Sequence, residues 1–413
     1  MQHSVCLLSR CELMGHADLP RLFQEWQRRH PEDYGALSLR KSTACSGLGV
    51  FATTDVAGGD ILYEDRHPLV SMQFAYSRYS GAVCCQHCLC SIGKLSEAFD
   101  HVLDLKNMSL EEDFPTLGAD IIWLDSLMQC PACIPCSCGE VQYCSEDCRR
   151  LAEPGHARLC ANAEIRHGLQ DLALKYNEFF MLAAQAASIM VSRVQESHWT
   201  VERALSEFLS FSSGPVLAKT DGGVQESYDL VIDLFPDDEL AEFRERFTID
   251  EYIRLLGVFE VNNMLINYDH PSVDLLQATL RCPRGVALSQ NVEWVRLVEL
   301  IRRLVPYDDE CAASLSPFPE VLGSGLYRGV ALTNHSCSPN AEASFGTSRS
   351  LQVKALKALR AGDEVLQSYI DGNLPLVERQ TKLREAYGFT CRCWKCRQNA
   401  LAELHQRHGS LSQ

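Results

Sequence analysis

Asn334-His335-Ser336-Cys337-Ser338-Pro339-Asn340 is followed by Gly362-Asp363-Glu364-Val365-Leu366-Gln367-Ser368-Tyr369, and then by Cys391-Arg392-Cys393-Trp394-Lys395-Cys396. The first stretch is a polar turn, rich in Ser, Asn and Pro. The second opens on a Gly-Asp corner and runs into apolar residues, which reads as a strand ending in tyrosine. The third is a C-x-C-x2-C knuckle, a spacing that holds thiols at chelate distance. The order of the three is far more specific than any one of them.

Working outward, the N-terminal side offers Ala44-Cys45-Ser46-Gly47-Leu48-Gly49-Val50-Phe51-Ala52-Thr53 and then Asp55-Val56-Ala57-Gly58-Gly59-Asp60-Ile61-Leu62-Tyr63. This reads as strand, Gly-rich turn, strand. Leu359-Arg360-Ala361-Gly362-Asp363 echoes Val56-Ala57-Gly58-Gly59-Asp60. Two similar corners, one early and one late, imply a β-fold interrupted by insertions. One insertion, roughly 82–162, is rich in cysteine. The other, about 165–320, has a helical apolar period around residues 172–183, 194–209, 248–265 and 290–305. Thr248 and Glu251 form a capping-box pattern. Residues 1–36 read as a variable lead-in, and the tail after Arg397 as frayed helix or disorder.

The chain has 413 residues, enough for a full core. No apolar run of about 18 residues occurs, and the start lacks the apolar core of a signal peptide. A cytoplasmic or nuclear protein is expected. The net charge of -16 argues against nucleic acid or an anionic membrane as partner. It suits a basic protein segment, and it is equally compatible with plain solubility. Of the 20 cysteines, eleven fall between Cys84 and Cys160. Clustered thiols in a reducing compartment indicate zinc rather than disulfides.

Within the cluster, Cys85-x2-Cys88 precedes Cys130, Cys133, Cys136 and Cys138, and Cys144, Cys148, His156 and Cys160 follow as C-x3-C-x7-H-x3-C. This set resembles a MYND zinc finger, including Tyr143-Cys144-Ser145. The resemblance implies interleaved pairs. One ion takes Cys85, Cys88, Cys144 and Cys148; the other takes a middle pair with His156 and Cys160. Cys136 and Cys138 are the favoured middle pair, with Cys130/Cys133 and Cys133/Cys136 as alternatives. A RING finger interleaves ligands too, but its pattern lacks the terminal H-x3-C. In the family such fingers bind Pro-rich partner segments and are not catalytic.

The flanking motifs resemble a SET domain. A SET domain split by a MYND finger is the layout of the SET and MYND domain (SMYD) family of protein-lysine methyltransferases, and the chain is most similar to its divergent fifth branch. The resemblance implies an α+β fold: a mostly-β SET core interrupted by a MYND finger and a helical insertion, with a zinc-binding post-SET tail. The implied boundaries are an N-terminal extension at 1–36, SET halves at 37–81 and 321–371, the finger at 82–162, the helical insertion at 163–320 and the post-SET segment at 372–413. Larger relatives add a C-terminal helical domain, which leaves one side of the substrate cleft open here.

The implied cofactors are S-adenosylmethionine and three zinc ions. Gly47, Leu48 and Gly49 fall on the cofactor side, where small residues let the backbone approach. Asn334 is matched to the cofactor's amino-acid end and His335 to its adenine side, through side-chain or backbone bonds. Cys337 completes a third zinc set with Cys391, Cys393 and Cys396. Phe389 and Trp394 become walls of the cleft. Asn262 is either a further cofactor contact or a helix-end tie, and Tyr327 either lines the lysine channel or packs. Tyr369 is the candidate catalytic residue, also beside the cofactor. The implied activity is lysine methylation on histone or other proteins by a monomer, with no nucleic-acid or membrane partner. The rival is a catalytically silent scaffold that binds partners through the finger. Methyl transfer needs alignment rather than a nucleophile, consistent with the lack of a convincing Ser/His/Asp set.

Overall fold

The structure, a computed structural model, describes residues 19–45, 47–79, 81–94, 133–214, 223–235, 240–268, 320–346 and 350–410. The strands, in chain order, are β1 (Leu37–Lys41), β2 (Leu48–Ala52), β3 (Ile61–Asp65), β4 (Val70–Gln73), β5 (Ile134–Pro135), β6 (Gln142–Tyr143), β7 (Asn263–Tyr268), β8 (Val321–Leu326), β9 (Asn334–His335), β10 (Ala341–Phe345), β11 (Leu351–Ala355) and β12 (Leu366–Gln367). The chain divides into two compact units. One comprises Met1–Val70, Pro154–Met264 and Leu326–Gln413, and the other Ser71–Glu153 and Leu265–Gly325.

The first unit is built from short strands that are distant in sequence. β1 and β2 form an antiparallel pair with Leu37 opposite Ala52. A three-stranded sheet runs in the order β10-β11-β3, and a two-residue parallel pair joins β9 to β12. The two corners that echo each other in sequence bind each other in space. Val56 N–H donates to Leu359 O and Leu359 N–H to Val56 O, both at 2.9 Å. Gly59 N–H donates to Ala355 O at 2.7 Å, and its counterpart Gly362 N–H to Ala52 O at 2.8 Å. Both glycines are left-handed, at φ +95° and +96°. The echo is therefore a local pseudo-twofold in which each corner terminates the other's strand.

Helices supply the rest of the core of this unit. Phe179–Gln195 is buried along Leu182–Val191 on nearly every face, as a central helix must be. Val201–Leu209 and Ile249–Asn262 pack with it, each started by a threonine that accepts a backbone N–H, Thr200 from Arg203 and Thr248 from Glu251. The expected segment 194–209 is thus two helices rather than one, because the Thr200 cap restarts the chain after Gln195. The period read over 248–265 ends at Asn262, and β7 begins at Asn263. The stretch 290–305 lies outside the described residues.

Both ends of the described chain carry helices. The lead-in contains helix Leu19–Arg29, which buries Leu19, Leu22, Phe23 and Trp26. The last segment is a helix, Trp394–Ser410. In the second unit, β5 and β6 form a hairpin, and Cys85, Cys90, Ile92, Val141, Tyr143 and Cys148 form a small core of their own. Among the described residues no helix is long and apolar enough to cross a membrane.

Gly59→Ala and Gly362→Ala should each destabilise the chain by about 1–2 kcal/mol, through backbone strain alone, since no atom lies within 4 Å of a Cβ at either site. Urea unfolding midpoints of the two variants should shift by similar amounts, as the pseudo-twofold requires.

Candidate functional site

The Gly362-Asp363 corner delivers Glu364 to the interior, where the residue is 6% exposed. Its carboxylate accepts from Ser42 Oγ at 2.6 Å, Thr43 N at 2.7 Å, Thr43 Oγ1 at 2.5 Å and Asn334 Nδ2 at 3.0 Å. Burial pushes this carboxyl up, but the bonds from Ser42, Thr43 and Asn334 outweigh it and hold the group below the ordinary carboxylate range. Asn334 Nδ2 also donates to Leu48 O at 2.8 Å. Both amide hydrogens of Asn334 are thereby used, and Oδ1 is left as an acceptor, with the exposed Cys45 thiol 3.6 Å away.

Gly49 explains itself here. A Cβ at this position would sit 2.2 Å from Glu364 Oε1 and 2.8 Å from Asn334 Nδ2. The space the glycine frees is filled by the side chains of Glu364 and Asn334. At Gly47 a Cβ would meet only Cys45 Sγ, at 3.7 Å.

On the other side of β9, His335 is buried, and both ring nitrogens are engaged. Tyr369 N–H donates to Nδ1 at 3.0 Å, so the imidazole proton belongs on Nε2, which lies 3.2 Å from Cys337 Sγ. Burial, helped by the Arg379 guanidinium, lowers His335 to about 4 and keeps the ring neutral. A contact from His335 to a ligand is thus left to its backbone. The Tyr369 hydroxyl donates to Thr333 O at 2.8 Å. Burial pushes the phenol well up, and Tyr387 adds to the shift.

Aromatic rings adjoin that of Tyr369. Ring centroids of Tyr369 and Tyr387 are 4.9 Å apart, His335 and Phe389 5.9 Å, and Tyr369 and Phe389 6.4 Å at near-right angles. Tyr387 Oη also reaches Tyr369 O at 3.4 Å. Tyr387 went unrecognised in the sequence, although its place two residues before Phe389 at a helix end was the available signal. Trp394, expected as a wall, is 66% exposed and does not join this group. Tyr327 is buried and packs edge-on against Phe345 at 5.9 Å. Asn262 is half a core residue and half a tie: Nδ2 donates to Ser212 O and to Val258 O, both at 2.7 Å.

Thiols gather in each unit. In the second, Cys85, Cys88, Cys144 and Cys148 bring their sulfurs within 4.8 Å of one another. In the first, Cys337, Cys391, Cys393 and Cys396 do the same. Neighbouring sulfurs lie 3.5 Å (Cys144–Cys148), 3.6 Å (Cys88–Cys144), 3.5 Å (Cys337–Cys396) and 3.9 Å (Cys337–Cys391) apart. A tetrahedral Zn–S distance of about 2.3 Å gives an S···S edge of roughly 3.8 Å. A disulfide would need about 2.05 Å. The donor sets therefore fit closed, four-thiolate zinc sites. Cys136 and Cys138 sit on the β5–β6 turn, closed by Cys136 N–H to Val141 O at 2.9 Å. His156 and Cys160 lie one turn apart on helix Glu146–Ala161. Cys133 is exposed, with its thiol donating to Gln142 Oε1 instead. Cys130 lies outside the described residues.

Because the folded carboxyl of Glu364 titrates below its unfolded value, the clamp contributes in full above about pH 4.5 and is lost as pH falls through the folded value. Glu364→Gln should cost about 2 kcal/mol at neutral pH. Its stability should also vary less steeply with pH between about 3 and 5. Thermal melts of both proteins across that range check this; parallel profiles would remove the clamp's charge from the argument.

A model of the SET domain matches residues 47–370. Protein-lysine N-trimethyltransferase SMYD5 of Mus musculus is 26% identical over 394 residues, spanning 88% of this chain and 86% of that protein. The Homo sapiens SMYD5 protein is 26% identical over 394 residues, spanning 87% and 86%. N-lysine methyltransferase SMYD2 of Rattus norvegicus is 43% identical over 145 residues, 35% of this chain and 33% of that protein. A solved structure of the SET domain of LSMT bound to lysine and AdoHcy covers 91% of this chain and 57% of its own, at 10% identity and a TM-score of 0.30. The match over residues 47–370 covers well over half of the sequence, and the chain belongs to the SET domain family.

Proposed function

We propose that the protein is an S-adenosylmethionine-dependent protein-lysine N-methyltransferase. The observation that carries the reading is the Tyr369 hydroxyl. It belongs to a half-buried tyrosine whose ring lies beside those of His335, Tyr387 and Phe389, with its one hydrogen given to Thr333 O at 2.8 Å. The oxygen is thereby left with lone pairs only.

S-adenosylmethionine supplies an electrophilic methyl group on a sulfonium. The residues of the chain have to hold a neutral amine in line with it. An apolar wall of Tyr369, Tyr387 and Phe389 disfavours a charged ammonium by desolvation, so it favours the free amine as acceptor. The lone pairs of the Tyr369 oxygen can accept weak CH···O contacts from a methyl group carrying partial positive charge, worth about 0.5–1 kcal/mol each. With its acidity suppressed by burial, the phenol is not a base at neutral pH. Its role is alignment, and alignment accounts for up to about 7–11 kcal/mol in such reactions. Asn334 Oδ1, fixed by the two bonds of its Nδ2, is an acceptor for the ammonium of the cofactor's amino-acid end. Gly47, Leu48 and the His335 backbone offer further cofactor contacts, and Phe389 a ring beside the cofactor. The Oδ1 of Asn262 is a more remote candidate.

We assign three zinc ions. Two are held by Cys85, Cys88, Cys144 and Cys148, and by Cys337, Cys391, Cys393 and Cys396. The third takes Cys136, Cys138, His156 and Cys160, a set supported by spacing and by the separate engagement of Cys133. All three are structural, since no ligand position is left open for substrate. The finger is assigned to binding Pro-rich protein segments, and the domain boundaries follow those implied by the family. A reducing, cytoplasmic or nuclear setting keeps these thiols available as ligands. The substrates are histone or other proteins, and the acidic net charge of -16 suits Lys-rich segments.

Tyr369→Phe should lower single-turnover methyl transfer at least tenfold, with cofactor affinity nearly unchanged, because the lost contact matters most in the transition state. Parent-like rates on the same substrate would reduce Tyr369 to a packing residue. Full-length, zinc-replete protein should contain three zinc ions by elemental analysis, and a value of one or none would remove the metal assignments.

A further inference from the structure

Arg379 lies in the first turns of helix Leu376–Tyr387 and is 2% exposed. Its Nη2 donates to Asn399 Oδ1 at 2.8 Å and to Cys396 Sγ at 3.8 Å, and Nη1 donates to Leu374 O. Among the described residues its Nε–H has no hydrogen-bond partner. A guanidinium does not give up its proton, so this is a permanent buried charge. Burying such a charge against neutral groups alone is costly. Asn399 and Leu374 offer only dipoles. Among the described residues, the groups that act most strongly on its charge are Cys396 and Cys337.

Those two thiols belong to the four-sulfur set of Cys337, Cys391, Cys393 and Cys396. A divalent ion with four thiolates carries a net charge of about −2. Such a centre is itself poorly tolerated in a buried site without donors and positive charge around it. Two otherwise unfavourable burials therefore cancel each other. Without the metal, neutral thiols would leave the guanidinium uncompensated.

We propose that Arg379 is the counter-cation of this thiolate centre and holds its zinc in place. The proposal rests on the zinc assignment made above. His335 acts beside it, since its Nε2, 3.2 Å from Cys337 Sγ, donates to the same centre. Its Nδ1 accepts the amide of Tyr369. Arg379 is thus a positioning residue, one metal site removed from the candidate catalytic tyrosine.

The test follows transfer of zinc from the full-length, zinc-replete protein to a chromogenic chelator. Cys393→Ser identifies which of the released equivalents belongs to this site. Arg379→Met, similar in length but uncharged, should weaken that equivalent by about 10–100-fold and leave the others unchanged. Arg379→Lys should recover most of the loss, and Arg379→Gln should not. If Met holds zinc as tightly as the parent, or if Lys and Gln are equally impaired, the charge is irrelevant and Arg379 merely ties two helices through Asn399. Comparing Lys with Gln keeps the test decisive should the Met variant fail to fold. If Cys393→Ser removes no zinc equivalent from the parent, the metal assignment fails, and this inference falls with it.

Discussion

A buried carboxylate from late in the chain holds a loop from its beginning. Glu364 accepts from Ser42 and Thr43, 322 and 321 residues away, and from Asn334, 30 residues away. The length of the intervening chain matters little energetically. Loop closure costs grow only logarithmically, roughly 0.6 kcal/mol for each doubling. A finger and a helical bundle can therefore be inserted between the halves of the β-core, provided that the two ends meet correctly. The carboxylate specifies that meeting more sharply than apolar packing can, because each of its partners must arrive at hydrogen-bond distance. Gly49 is the complementary constraint, since any side chain there would occupy the volume of the carboxylate.

The dipeptide Asn334-His335 then divides the site in two. Successive residues of a strand face opposite ways. Asn334 turns its amide toward Leu48 and Glu364, and His335 turns its imidazole toward Tyr369 and Cys337. One face belongs to the early loop, and the other to the tyrosine and the late thiols. The parallel pairing of β9 with β12 fixes both at once, so neither face can shift without the other. Such coupling is what a bimolecular alignment needs where, as in the proposed function, different stretches of chain would hold the two reactants.

Much of this was legible before any coordinates. Thr248 as a helix cap and the paired corners follow from short patterns whose chemistry is local, and the two four-thiol groupings from what the family resemblance implies. What escaped was set by tertiary contact. The packing of Gly49 against a carboxylate more than 300 positions on has no local signal. For His335 the sequence leaves side-chain and backbone contacts open, and the geometry engages both ring nitrogens within the protein. Trp394 looked like a wall because it sits within a knuckle, but the knuckle turns it outward. Arg379 gave no signal at all. An arginine on a polar helix is ordinarily solvated, and its burial depends on where Cys337 and Cys396 come together.

Under the proposed function, the suppressed acidity of Tyr369 decides what kind of catalyst this site can be. A phenol that stays protonated at neutral pH takes no proton from a lysine, and His335 beside it is held near 4 and spends both nitrogens internally. The amine must reach the site already neutral, selected by the low polarity of the aromatic wall. The barrier then depends on geometry, for which a misplacement of about 1 Å can cost 100-fold. That places the rate in the hands of residues that never touch substrate. Thr333 O sets the direction of the tyrosine hydroxyl. Thr333 in turn is held through Tyr63, whose hydroxyl lies 2.8 Å from Thr333 Oγ1, and through the bond from Thr333 Oγ1 to Gly329 O at 3.1 Å. Asp65, fully buried, accepts the amides of Gly329 and Val330 at 3.2 and 2.9 Å, and so anchors the helical turn that precedes Thr333. The precision of one oxygen atom thus descends from a carboxylate on β3, in the half of the core that the insertions separate from Tyr369.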